Sequence, residues 1–559
     1  MGFSVKNAAL DLGFLVAREF SADGASYSAL ETVRKYTGLE SSLGVSRLQG
    51  VDAVKLVALN LQFQLNRTSV PTGSVLDWTQ TPLAAASVAL TPADPTFRIG
   101  GSVGLSIADV IYGSAVIQVS RSSVTGVDDP DSSAANTLLK GELLAVAVSQ
   151  ATLFVGSGAT LDMTTGVVVL PSTTDPKAVG FSVSNGALDL GIFSARSGTT
   201  DGTNYVVLNQ VRKYTGFEGS LGRAQLQGVD AVQLIGTSMV LQLNRTSVSG
   251  GRVLNWSLPQ VTSANVALGP NSPTFRIGGS AGLSIAGVVF GSATVDVSRS
   301  VVSGVDDPDD AGTRKLQGDL LGVSISNARI FIGSGARLDA DATSTTFGTV
   351  ALPASDDPRA VGFSVDGVSL DLGIFTARDS SPDGVAYTAL ETYRKYTGLE
   401  GAVGRGQLQG VDAVKIIGKD LVLKLNQTSV VGGGVLDWRQ APVAAVLVAL
   451  GPTDPKFRIG GSVGLSIADV VFGSATIDVS RSEVSGIIDP DVVPGGVLKG
   501  DLLTISVTQA ELFIGSGASL ITDSNSLGFG NVTTPASNDP AAVGFSVKGG
   551  SPRCSADRP

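Results

Sequence analysis

Aspartate is the residue type through which this chain can do chemistry. Three short loops crowd it: GVDDPDSS (Asp128, Asp129, Asp131), GVDDPDDAG (Asp306, Asp307, Asp309, with Asp310 beside them) and GIIDPDVV (Asp489, Asp491). A hard cation such as Ca2+ takes about six to eight oxygens from carboxylates and backbone carbonyls. Clustered carboxylates on a turn offer both, so these loops are the candidate metal ligands and calcium the expected cofactor. The alternative stays open that Asp-Pro and Asp-Gly are ordinary turn dipeptides. Asp23, Asp201 and Asp383 in "ADG", "TDG" and "PDG", and Asp175, Asp357 and Asp539 before proline, have the same character. No complete EF-hand loop or calcium-binding nonapeptide occurs.

What is missing narrows the chemistry further. The 559 residues contain no His and one Cys, Cys554. A His general base, a Ser-His-Asp triad, a His-ligated metal and a disulfide framework are therefore excluded. No G-x-S-x-G occurs, and the Gly-rich runs Gly100–Ser106 and Gly278–Ser284 lack the Lys-Ser/Thr of a phosphate loop. The motif RKYTG (Arg34, Lys35, Tyr36, and again from Arg212 and Arg394) offers groups that stabilise an oxyanion, or else a salt-bridged face. Trp78, Trp256 and Trp438 read as packed anchors, with sugar stacking as the alternative. Asn66, Asn244 and Asn426 match N-x-T, and read either as glycan acceptors or as caps of a strand end. No catalytic residue is assignable.

Net charge is −10 and the isoelectric point about 4.7, which argues against nucleic acid and an anionic membrane surface. No window approaches the roughly 20 apolar residues of a membrane helix.

The elements that must position these residues come in repeats. GFSV opens at Gly2, Gly180, Gly362 and Gly544, a period of roughly 180 residues. RKYTG, LQGVDAV (Asp52, Asp230, Asp412), LN(R/Q)TSV, a Trp, FRIGGS and the acidic loop recur in that order. This divides the chain into 2–179, 180–361 and 362–543, a fourth opening at 544–549, and a tail at 550–559 unlike the rest. The pattern predicts a slice of a longer repetitive protein with no leader of its own, and uncapped repeat ends that self-associate.

Within each repeat, stretches such as FSVSNGALDLGIF and LSIAGVVFGSATVDV alternate apolar and polar residues around small-residue turns, the signature of paired strands. Starts fall about every 45 residues. Helical signal is confined to ALETVRKYTGLE (Ala29–Glu40), which reads as a short helix or a strand. The expected fold is all-β, an elongated solenoid. Three tandem sandwich or barrel domains are the alternative, and a propeller ranks third.

The modules AVGFSVSNGALDLG, LQGVDAVQLIG and FRIGGSVGLSIADVVFGSA resemble repeat modules of very large bacterial secreted or surface proteins of the calcium-binding type, over residues 2–549. The chain is also similar to metagenome-derived calcium-dependent lactonases that open N-acyl-homoserine lactones. That resemblance implies quorum quenching by lactone hydrolysis in an extracellular or cell-surface setting, with a small lactone as partner. It brings no catalytic motif and transfers no site residue. On the residues, calcium held by Asp could polarise the lactone carbonyl while a second Asp activates water. The alternative is a non-catalytic, calcium-stabilised structural or adhesion module.

Overall fold

The computed structural model describes residues 2–549 except 50–52, 72, 133, 135, 173–174, 176–177, 230, 311–312, 342, 355–356, 412 and 492–494. Cys554, the tail at 550–559, and Asp52, Asp230 and Asp412 lie outside the described residues.

The fold is all-β and antiparallel. Alternation of apolar with polar side chains continues for 15 to 22 residues at a time in the longest segments, and these become correspondingly long strands. Two compact units divide the chain. The first holds 1–229 and 237–276. In it Gly2–Phe20, Ser28–Gln49, Val54–Thr68, Phe97–Ile107, Ile111–Asp128, Leu138–Ser157, Val179–Thr199 and Val206–Gln227 pair in chain order, each antiparallel to the next. The second holds the described residues of 231–236 and 277–549. There the same meander runs through Val289–Asp306, Lys315–Ser334, Val361–Ser381, Thr388–Gln409, Val414–Thr428, Phe457–Ile467, Val471–Ile488, Val497–Ser516 and Val543–Lys548.

Ala29–Glu40 is strand, inside Ser28–Gln49. Tyr36 pairs with Leu15 on one side and Thr68 on the other. Pairing on both edges outweighs the weak helical pattern.

The two largest clusters of buried side chains sit where one repeat meets the next, and smaller ones lie inside single repeats. In the first unit Val127, Leu139 and Leu143 of repeat one pack with Phe193, Tyr214 and Trp256 of repeat two. In the second, Val305, Leu316 and Leu320 pack with Phe375, Tyr396 and Trp438. Each tryptophan lies on a floor of two glycines that face each other across a strand pair, Gly191 with Gly216 and Gly373 with Gly398. A methyl group on Gly216 would come within 2.6 Å of the Trp256 ring, so the floor admits no side chain.

Candidate functional site

The acidic loops are built by a strand that is bent just before it ends. Gly126 and Gly304 take φ of 77° and 78°, a left-handed conformation that favours glycine. The register slips there, between Val124 and Val127 and between Val302 and Val305, as a bulge requires. The freed amide of each glycine donates to a tyrosine hydroxyl from the following repeat, Gly126 to Tyr205 at 3.1 Å and Gly304 to Tyr387 at 2.9 Å.

Beyond the bulge the carboxylates meet the arginine of RKYTG. The Arg212 guanidinium donates to both oxygens of Asp129 at 2.9 and 3.2 Å, across 83 residues of chain. Arg394 donates to both oxygens of Asp307 at 3.0 Å, and to Asp309 at 3.5 Å. The next aspartate holds a turn of the following repeat: Asp131 accepts the Arg252 amide at 2.7 Å, and Asp309 the Gly434 amide at 2.7 Å. The Tyr214 hydroxyl donates to Asp131 at 3.3 Å. Asp307 is buried, and its arginine is about four-fifths covered. Burial disfavours the charge on Arg212, but Asp129 and Tyr214 together outweigh it and raise the pKa. Burial also pushes Tyr396 up to about 12, and Tyr214 shifts the same way for the same reason.

A second ionic contact accompanies the first. Glu142 accepts from Arg121 of its own repeat and from Arg196 of the next, at 3.3 Å for the latter. Asp319 sits between Arg299 and Arg378 in the same way.

The eight candidate ligands therefore divide. Asp129, Asp131, Asp307 and Asp309 face arginine and backbone amides of the following repeat. Asp128 is exposed on the strand end. Asp306 pairs with Lys315; Asp310, beside the eight, pairs with Arg314 at 3.4 Å. Asp489 accepts the Asp491 amide at 2.9 Å within its own turn. Among the described residues no group of three or more His, Cys, Asp or Glu side chains converges as a metal set would. The other acidic turns are self-contained: Asp23, Asp201 and Asp383 accept amides two residues on, as do Asp357 and Asp539.

Concavities of about 560, 420, 650 and 240 Å³ take no carboxylate from the three acidic loops. The first is apolar, with Glu511 as its one charged side chain.

Trp256 and Trp438 with their asparagines belong to the joints, and Trp78 with Asn66 repeats the arrangement inside repeat one. Trp78, Trp256 and Trp438 are buried, so none presents a face for a sugar. Each indole N–H donates to an asparagine oxygen, Trp256 to Asn244 at 3.2 Å. The asparagine amide bridges two backbone carbonyls, Leu254 and Gly269 for Asn244. Asn66, Asn244 and Asn426 are fully buried and spent in this way, which corrects the glycan reading. Sequence reasoning missed the Trp–Asn bond, Tyr205 and Tyr387, and the arginines flanking Glu142 and Asp319. Their signal was present, since each recurs at the same place in the repeat.

No family model matches the chain, and no curated protein matches it. Among solved structures, the siderophore receptor PirA from Acinetobacter baumannii is similar at 10% identity, over 92% of this chain and 74% of that one, with a TM-score of 0.22. A likeness at that level carries no argument about fold or function. Among the described residues no helix is long and apolar enough to cross a membrane.

Proposed function

We propose that the chain is a non-catalytic structural repeat module, of the kind that lengthens a large bacterial secreted or surface protein. Its repeats fasten to one another through side chains that the neighbouring repeat supplies, and an array of this kind extends as an elongated solenoid by adding copies. One observation carries the reading: the carboxylates best suited to a cation or to general base work, those of Asp129 and Asp307, are each gripped by an arginine of the next repeat. A carboxylate whose two oxygens both accept from a guanidinium already has its counter-charge, and that positive group stands where a cation would bind.

The test is hydrolysis of an N-acyl-homoserine lactone by pure protein, with calcium and then with excess chelator, beside a thermal melt under both conditions. A structural module gives no turnover in either condition. A melt that drops in chelator without turnover adds calcium as a further staple of that module. Turnover that vanishes in chelator while the fold survives overturns the reading in favour of a calcium-dependent lactonase.

A further inference from the structure

Resting on the structural-module reading, we infer that the third repeat carries a ready-made socket for the first repeat of a second copy of this chain, so that chains join head to tail. In both internal joints the same positions are covered by the following repeat. Val127, Leu139 and Leu143 are 0 to 1% exposed, and Val305, Leu316 and Leu320 are 0 to 2%. Their counterparts in repeat three, Ile487, Leu498 and Leu502, are 48, 44 and 51% exposed. The polar half of the joint is likewise present on this face. Gly486 repeats the bulge at φ 77°. Asp489 and Asp491 occupy the places of Asp129 and Asp131 with no arginine beside them among the described residues. Among the described residues Asp501 holds Arg481 alone, where Glu142 and Asp319 each hold two arginines.

The complementary half is displayed by repeat one. Tyr27 is 66% exposed, while its counterparts Tyr205 and Tyr387 bond the bulge glycines. Arg34 and Arg18 are exposed, while Arg212 and Arg394, and Arg196 and Arg378, are engaged. Tyr36 is half-buried where Tyr214 and Tyr396 are fully covered. In the joined state Tyr27 accepts from the Gly486 amide, Arg34 takes Asp489 and Asp491, and Arg18 takes Asp501.

The backbone edge fits as well. Val543–Lys548 covers only Glu511–Ser516 of the last long strand, and the Gly549 amide donates to Ala510. Val497–Gln509 therefore has no strand partner on that side among the described residues. Gly2–Lys6 and Gly544–Lys548 are both GFSVK, so the first strand of an incoming chain can take over that stretch with the same hydrogen bonds and continue along the open edge. Because the two faces differ, the contact is heterologous and does not close on a two-fold axis.

The test is sedimentation velocity of the full chain over a concentration series, with two exposed-site variants, Arg34→Glu and Leu502→Glu. Wild type is expected to form a ladder of oligomers that shortens at high salt. Each variant alone is expected to lose association more than roughly tenfold with unchanged circular dichroism and melting. Mixed in equal amounts, the two variants retain one intact pair of faces and are expected to stop at a heterodimer. Wild type that stays monomeric at every concentration overturns the inference, as does a ladder that both variants leave intact. Neither result touches the lactone assay, so the structural-module reading stands or falls separately.

Discussion

In each joint a tryptophan lies on two glycines, held in its plane by one bond to a buried asparagine. This arrangement tolerates no added volume. Gly216→Ala is expected to cost about 1–3 kcal/mol through overpacking, and Trp256→Ala about 3–5 kcal/mol through the cavity it leaves. Urea unfolding followed by circular dichroism reads both. If the methyl and the ring compete for one space, the double variant costs less than the sum. The arginines make a sharper comparison, because one sequence motif sits in two environments. Arg212→Met removes the guanidinium from a covered Asp129, and about 1–3 kcal/mol is expected, between surface and buried ion-pair values. Arg34→Met in the isolated monomer changes an exposed side chain and is expected to stay within about 0.5 kcal/mol. Equal effects would refute the assignment of Arg212 to the joint.

Glu142 and the buried tyrosines near the joints contribute to the pH dependence of stability. Burial pushes the Glu142 carboxyl up, but Arg121 and Arg196 outweigh it and hold it below the usual range. Its contribution is present above the ordinary glutamate value of about 4.3 and is lost as pH falls through the lowered folded value. Melting in a pH series below about 4 should therefore fall less steeply in Glu142→Gln. At the alkaline end the sign reverses: Tyr396 binds its proton more tightly folded than unfolded, so stability declines as pH rises from about 10 towards 12. Ultraviolet titration should show Tyr214 and Tyr396 ionising after the exposed tyrosines, and Tyr396→Phe should remove one late step. Hydrogen exchange separates the strands by cover. Amides of Val497–Val507 in monomer are expected to exchange faster than those of the equivalent Leu138–Val148 and Lys315–Ile325, which lie between two partner strands. Equal protection would mean the open edge is covered in solution.

The same few contacts recur at both joints between the three full repeats, so stability is expected to behave as a sum of repeat and joint contributions. Arg212→Met and Arg394→Met act in different compact units. Their effects should add within about 0.5 kcal/mol in urea unfolding, and strong coupling between them would count against independent joints.

Much of this was open to a reader of the sequence alone. Repeat length, strand-rich alternation and turn chemistry all depend on residues within a few positions of each other, where propensity and sterics act directly. That is why the all-β class and the acidic turns were legible. The state of Ala29–Glu40 was not, because helix and strand compete closely there and pairing with Leu15 and Thr68 settles it. Nor was the role of the aspartates. Asp129 reads as a cation ligand beside Asp128 and Asp131, yet the charge it faces lies 83 residues away. Which groups meet depends on strand register across whole repeats, and register is decided by burial of Trp256, Leu139 and Phe193 together rather than by any local stretch.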